Sequence, residues 1–235
     1  MNKNYFRIIM FIILIFSLSK ITFDFFQLKK NEQKFKELHK IINIEKSRNP
    51  FKLLEEKNKN FKAWIKINGT NINYPVMQTK NDEEYYLFKN FENKYSPSGT
   101  PFLKANSNLD TNSQIIIFGH NMSDKTMFSD LIKYKNIEFY NKNKIIELYT
   151  SKQKLTYEIF SIFKINLSNK NEHFQFYNVN EFINERVYKD FVNEAIRISL
   201  YNTNKNPVFG EQILTLVTCD ETSDSHRLII MASSV

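Results

Sequence analysis

Two apolar stretches near the C-terminus constrain this 235-residue chain more than anything else in it. Ile213, Leu214, Leu216 and Val217 form the first, and Leu228, Ile229, Ile230 and Met231 form the second. Each has the length and β-branched content of a buried strand. The residues between them, 220–225, are rich in turn-forming side chains, so the pair is expected to form a hairpin with a longish loop. Cys219, the single cysteine of the chain, then lies at the exit of one strand and Arg227 at the entry of its neighbour. A thiol and a guanidinium would share one rim of a sheet. On spacing alone, a small buried hydrophobe is an equally good reading of the cysteine.

A cysteine nucleophile needs a partner that favours the thiolate, because a free thiol with a pKa near 8.5 is mostly protonated at neutral pH. Four histidines are available. His39 falls in an N-terminal helical pattern and His173 in a polar loop, and both are expected to be solvated and inert. His226 directly precedes Arg227, and strand side chains alternate, so it points to the opposite face if Arg227 faces Cys219. His120 follows an apolar strand, 114–118, and a glycine, which sets an imidazole at a strand end. By itself it reads as a surface loop histidine; beside a lone cysteine and an arginine at other strand ends it becomes the candidate acid–base group. Arg227 could pair with Asp220 or Glu221, or it could donate hydrogen bonds to a substrate carbonyl or an oxyanion.

The rest of the chain supplies a scaffold of about eight strands. Strands are expected at 63–67, 71–78, 100–104, 114–118, 144–149 and 154–165, in addition to the two described above. Pro75 lies inside the second, which suits an edge or a bulge. Short helices are expected at 82–91 and 127–134, and a long amphipathic one at 180–200, with Phe182, Ile183, Val187, Phe191, Val192, Ala195, Ile196 and Leu200 on one face. Eight strands suit a small closed barrel.

The N-terminus reads differently. Lys3 and Arg7 precede an apolar run at 8–18, and a span from about Tyr5 to Phe23 is long enough to cross a bilayer if Lys20 snorkels. No small-x-small cleavage site follows, which favours an uncleaved anchor over a signal peptide. Residues 28–59 look helical, with Phe35, Leu38, Ile41 and Ile42 forming a stripe that packs on the following domain, and Asn49-Pro50 breaks the run. The expected organisation is an anchor over 1–27, a helical stalk over 28–60 and one barrel domain over 61–235. The formal charge of +8 is spread among interleaved acids, and no nucleic-acid signature accompanies it; an anionic membrane or cell-wall polymer fits better. One cysteine excludes an internal disulfide and a Cys-based metal cluster.

Several of these residues carry a family resemblance. Thr-Leu-Val-Thr-Cys at 215–219, Arg227 on the next strand and Gly119-His120-Asn121-Met122 with Met127-Phe128 resemble the sortase family. So do Ala63-Trp64-Ile65-Lys66-Ile67, Ile72-Asn73-Tyr74-Pro75-Val76 and Tyr85-Tyr86-Leu87, and the resemblance runs from about residue 61 to the C-terminus. The N-terminal helices and the long helix between the last strands are similar to the class B subgroup. The resemblance implies a mainly β fold with added helices, an eight-stranded barrel, and a membrane-anchored cysteine transpeptidase outside a Gram-positive-type cell.

Such enzymes cleave a sorting motif near the C-terminus of a secreted protein, form a thioacyl-enzyme and pass the acyl group to a peptidoglycan amine. Carried over, Cys219 is the nucleophile, His120 the general acid and later base, and Arg227 the oxyanion and substrate donor. Leu87, Val217, Thr218 and Glu221 are expected to line the substrate groove. Val217 stands where class B members often carry serine. The run His226-Arg227-Leu228 is similar to pilin-polymerising sortases, but the Asp-Pro-aromatic lid of those enzymes has no counterpart here. Asp220, Glu221 and Asp224 are open candidates for orienting His120 or tuning Arg227. No cofactor, metal or nucleic acid is expected. Two rival readings stand beside this one: a surface cysteine hydrolase, and a membrane-tethered binding module with an inert cysteine.

Overall fold

The computed structural model describes residues 3–44, 49–168, 174–220 and 225–235. Among them, eight strands form the body: β1 Phe61–Ile67, β2 Asn73–Met77, β3 Phe102–Leu103, β4 Gln114–Phe118, β5 Ile145–Tyr149, β6 Lys154–Asn166, β7 Ile213–Cys219 and β8 His226–Ser234. They close into a barrel in the order β1-β2-β3-β4-β7-β8-β6-β5. The helices are α1 Lys3–Ile44, α2 Pro50–Lys57, α3 Ile137–Lys142 and α4 Glu185–Arg197. The expected eight-stranded barrel, with N-terminal helices and a helix before the last two strands, is the one found.

The largely apolar character of β7 and β8 has a direct cause. Leu214, Leu216, Leu228, Ile230 and Ala232 point into the barrel, while Ile213, Val217, Ile229 and Met231 point outward beneath α4 and the segment before it. Both faces are therefore buried, and neither strand can alternate with polar residues. In β6 the register slips between Ile159 and Ser161, and Ile159 and Ile162 both reach the interior on either side of it. Such a bulge changes which side chains face inward and sharpens the strand's twist. Pro75 lies opposite Trp64 of β1, while β2 meets β3 only at Met77. Its missing N–H therefore interrupts no ladder on the open edge.

The helices differ more from the sequence pattern. Tyr188, Phe191, Val192 and Ala195 form the buried face of α4. Ile183 precedes the helix and is 84% exposed, because Asn184 caps it by accepting from the Val187 N–H at 3.0 Å. The helices expected at 82–91 and 127–134 are 3-10 segments, Tyr85–Leu87 and Ser129–Lys135. The apolar residues there face the core from 3-10 turns and the loops beside them, so their spacing imitates α-helical periodicity. α1 runs unbroken for 42 residues. Its lower part exposes large apolar side chains from Tyr5 to Phe26, whereas Phe35 and Leu38 are buried on the barrel, with Ile41 and Ile42 packed beside them. α1 is long and apolar enough to cross a membrane. His39 corrects the expectation of a solvated side chain: its Nε2 lies 2.7 Å from the Asn73 carbonyl, and its ring packs on Trp64. His173 lies outside the described residues.

Candidate active site

Antiparallel pairing of β7 with β8 runs in register from Ile213↔Ser233 to Cys219↔Arg227. The thiol and the guanidinium are thus cross-strand neighbours, the closest relation a sheet offers. Beyond that pair the ladder closes with the Asp220 N–H donating to the His226 carbonyl at 2.9 Å. Arg227 borders the cleft described below. His226 does not; its ring lies beside Ser225, with Nδ1 3.5 Å from Oγ.

His120 arrives from the parallel neighbour on the other side of β7. β4 pairs with β7 up to Phe118↔Val217, and the Gly119 N–H continues by donating to the Val217 carbonyl at 3.1 Å. The Thr218 hydroxyl donates to the Gly119 carbonyl at 2.8 Å, and the Asn121 side-chain amide donates to the Cys219 carbonyl at 3.1 Å. The residues on both sides of His120 are therefore tied to the strand that ends in Cys219. Only glycine fits at 119, since a Cβ there would stand 2.6 Å from the Phe128 ring.

The imidazole is held separately. Its Nε2 is 2.9 Å from the Leu87 carbonyl, and Phe88 packs against the ring at 5.5 Å. A carbonyl can only accept, so Nε2 carries a proton and Nδ1 is the nitrogen left to exchange one. Burial pushes the His120 pKa below its ordinary 6.5; the Leu87 hydrogen bond opposes this and the Arg227 charge adds to it.

Cys219, His120 and Arg227 open together into one cleft of about 350 Å³. Its walls are largely apolar, formed by Leu87, Phe102, Phe118, Ile165, Phe176 and Val217, with Glu84 at the edge. Leu87, Val217 and Thr218 border it, although Thr218 is 98% buried and its hydroxyl already serves Gly119. Glu221 and Asp224 lie outside the described residues. Asp220 does face a cation, but it is lysine: its buried carboxylate is gripped by Lys135 and by Lys164, the latter at 3.1 Å. Among the described residues, no three His, Cys, Asp or Glu side chains gather as a metal ion requires.

Sequence reasoning missed the Leu87 carbonyl, the Phe88 ring, the Asn121 amide and the two lysines on Asp220. None has a local signature, since each is a tertiary contact of an ordinary residue. Phe176 and Tyr177, set among polar residues before α4, line the cleft, whereas α4 itself, from the stretch 180–200 expected to shape a groove wall, supplies none of its lining residues.

Comparison with known proteins identifies a family for this fold. A sortase domain model matches residues 65–235. Sortase B of Staphylococcus aureus is 32% identical over 210 residues, covering 88% of this chain and 83% of that protein. Sortase B of Listeria monocytogenes is 30% identical over 187 residues, 77% of this chain and 72% of that protein. Among solved structures, the S. aureus sortase B–substrate complex superposes with a TM-score of 0.74 at 32% identity, over 92% of this chain and 98% of that one. Sortase B from Bacillus anthracis in complex with AAEK1 gives a TM-score of 0.77 at 28% identity, over 90% and 99%. The chain belongs to the sortase family of cysteine transpeptidases, in its class B branch.

Proposed function

We propose that the chain is held at the outer face of the cell membrane by α1 and joins secreted proteins to the cell wall through a thioacyl-enzyme on Cys219. One observation carries this reading: the cross-strand pair Cys219–Arg227 and the imidazole of His120 open into the same apolar cleft. Residues 1–27 serve as the anchor, 28–60 as the stalk and 61–235 as the catalytic domain.

With its pKa held down by burial, His120 is neutral at pH 7 and can receive the thiol proton on Nδ1. The thiolate attacks the scissile carbonyl of a sorting peptide. Negative charge then develops on the carbonyl oxygen, where Arg227 donates to it in a site with little water. The imidazolium returns its proton to the leaving amine, and the C–N bond breaks to give the thioester. An incoming cell-wall amine attacks that thioester and loses its proton to His120, and the thiolate leaves. Apolar walls slow competing hydrolysis by limiting water at the thioester. Leu87, Val217 and Thr218 border the bound peptide.

The test incubates the full chain in detergent with a library of sorting-type peptides, with and without a cell-wall-like amine, and identifies products by mass spectrometry. The expected product is an amide that requires both Cys219 and the amine. Cleavage to the free acid alone would assign the chain to surface hydrolysis, and the absence of any Cys219 adduct would leave a binding module.

A further inference from the structure

The barrel touches α1 at two levels, and the lower one is unusual. Lys20 bonds to Asp24 at 2.8 Å and to the Tyr95 hydroxyl at 3.3 Å, Tyr95 reaches Asp24 at 3.4 Å, and the Tyr95 and Phe23 rings stack at 6.2 Å. A loop of the catalytic domain thus meets the helix inside its apolar segment. The helix still exposes Ile21, Phe23, Phe25 and Phe26 at 65%, 49%, 56% and 70% around that contact.

Length decides where the bilayer must lie. At 1.5 Å per residue, Tyr5 to Ser19 spans about 21 Å, short of a hydrocarbon core of about 30 Å. Tyr5 to Phe26 spans about 32 Å and fills it. Covering the apolar segment therefore sets the outer boundary of the hydrocarbon core at the Asp24 end of the Lys20–Asp24 pair, where Tyr95 already sits. The ion pair is neutralised within itself and by the tyrosine hydroxyl, as groups near a hydrocarbon boundary need to be. Tyr95, 37% exposed, has the amphipathic ring that membrane–water interfaces favour, and Lys89 and Lys94 flank it where phosphate groups would lie.

We infer that the 88–97 loop is a lipid-contacting surface that seats the barrel directly on the bilayer's outer interface, with Tyr95 immersed in the headgroup layer. The inference rests on the anchor reading of α1. It has a consequence for the site: Tyr95 bridges Lys89, two residues beyond the Leu87 carbonyl that holds His120. The loop that meets lipid is therefore joined directly to the segment that holds His120.

Spin labels on single cysteines in a Cys219→Ala background test this in the full chain, reconstituted in phosphatidylglycerol–phosphatidylcholine vesicles. Labels at Tyr95→Cys and, with Tyr95 intact, at Lys94→Cys should give an oxygen-to-nickel-chelate relaxation ratio above that at Lys152→Cys and below that at Ile12→Cys, because an interfacial site lies between water and the apolar layer. Ile12→Cys reports the anchor. Lys152→Cys reports the far end, since its neighbour Ser151 bonds Asn49 beyond the upper end of α1. A deep value at 12 with aqueous values at 94 and 95, matching 152, overturns the surface and leaves the anchor standing. An aqueous value at 12 overturns both.

Discussion

Two kinds of construction hold the three site residues. Cys219 and Arg227 are set by the backbone ladder of β7 and β8, continuous over seven residue pairs. His120 sits two residues past the end of β4, and side-chain bonds from Thr218 and Asn121, the Leu87 carbonyl and the Phe88 ring position it. The ladder distributes its constraint over many backbone bonds, whereas the imidazole depends on a few contacts that single substitutions can remove. Substitutions around His120 should therefore change chemistry without loosening the barrel, and those in the ladder should do both.

The largest effect separates the two histidines. His120→Ala is expected to lower kcat/KM by about 10³-fold, the range of a general acid–base group, with the melting temperature nearly unchanged. His226→Ala, whose ring lies off the cleft, should keep most of the activity. Steady-state kinetics on one amine-dependent peptide reaction reads both; substantial turnover by His120→Ala would remove the imidazole from the mechanism.

Next comes the ladder's own side chain. Arg227→Lys keeps the charge but loses the planar fork, and should cost roughly 10²-fold in kcat. An effect confined to KM would assign Arg227 to ground-state binding instead.

Gly119→Ala tests the junction between the two constructions. Its Cβ would meet the Phe128 ring at 2.6 Å, so the ring or the loop must move. A stability loss of about 1–3 kcal/mol is expected from overpacking, measured by denaturant unfolding. Activity should fall about tenfold from His120 displacement, a smaller effect than loss of the imidazole itself. Alkylation of Cys219 at high pH, which needs no imidazole, should be unaffected.

The smallest effect is electrostatic. Burial depresses the His120 pKa, so the folded chain binds that proton less readily than the unfolded one. The resulting stability is complete above pH 6.5 and is lost as pH falls through the folded-state pKa. Phe88→Ala opens the ring to water and should raise that pKa toward 6.5. Imidazole NMR titration in a Cys219→Ala background reads the shift without coupling to the thiol.

The same contrast explains what was legible in the sequence. The β7–β8 pair was legible because burial on both faces leaves a nearly continuous apolar signature, and the polar run between the strands put Cys219 at one strand's exit and Arg227 at the other's entry. α4 was legible through Phe191, Val192 and Ala195, but its start was not, because the Asn184 cap excludes Ile183 and so breaks the apolar face read across 180–200. The α-helices expected at 82–91 and 127–134 are 3-10 helices, Tyr85–Leu87 and Ser129–Lys135, which bury Tyr86 and Leu131, while Phe91 and Phe128 are buried from the flanking loops. α3 was missed, being a single short turn capped by Asn136. His39 was misjudged because its partners, Trp64 and the Asn73 carbonyl, are distant in sequence. Asp220 was one of three acids considered for His120 or Arg227, yet lysines from the 129–135 segment and β6 occupy it. Periodicity reports on burial, and these errors arise where burial and regular structure part company.

The central claim is that Cys219 carries the acyl group. Acid-quenching the chain during turnover of a cleavable sorting peptide, followed by intact-mass and peptide mapping, tests it most directly. The account predicts one acyl mass increment on the peptide containing Cys219, removed on a chase with a cell-wall-like amine and absent from Cys219→Ala. Amide product formed by Cys219→Ala, or wild-type turnover with the adduct on another residue, would contradict it.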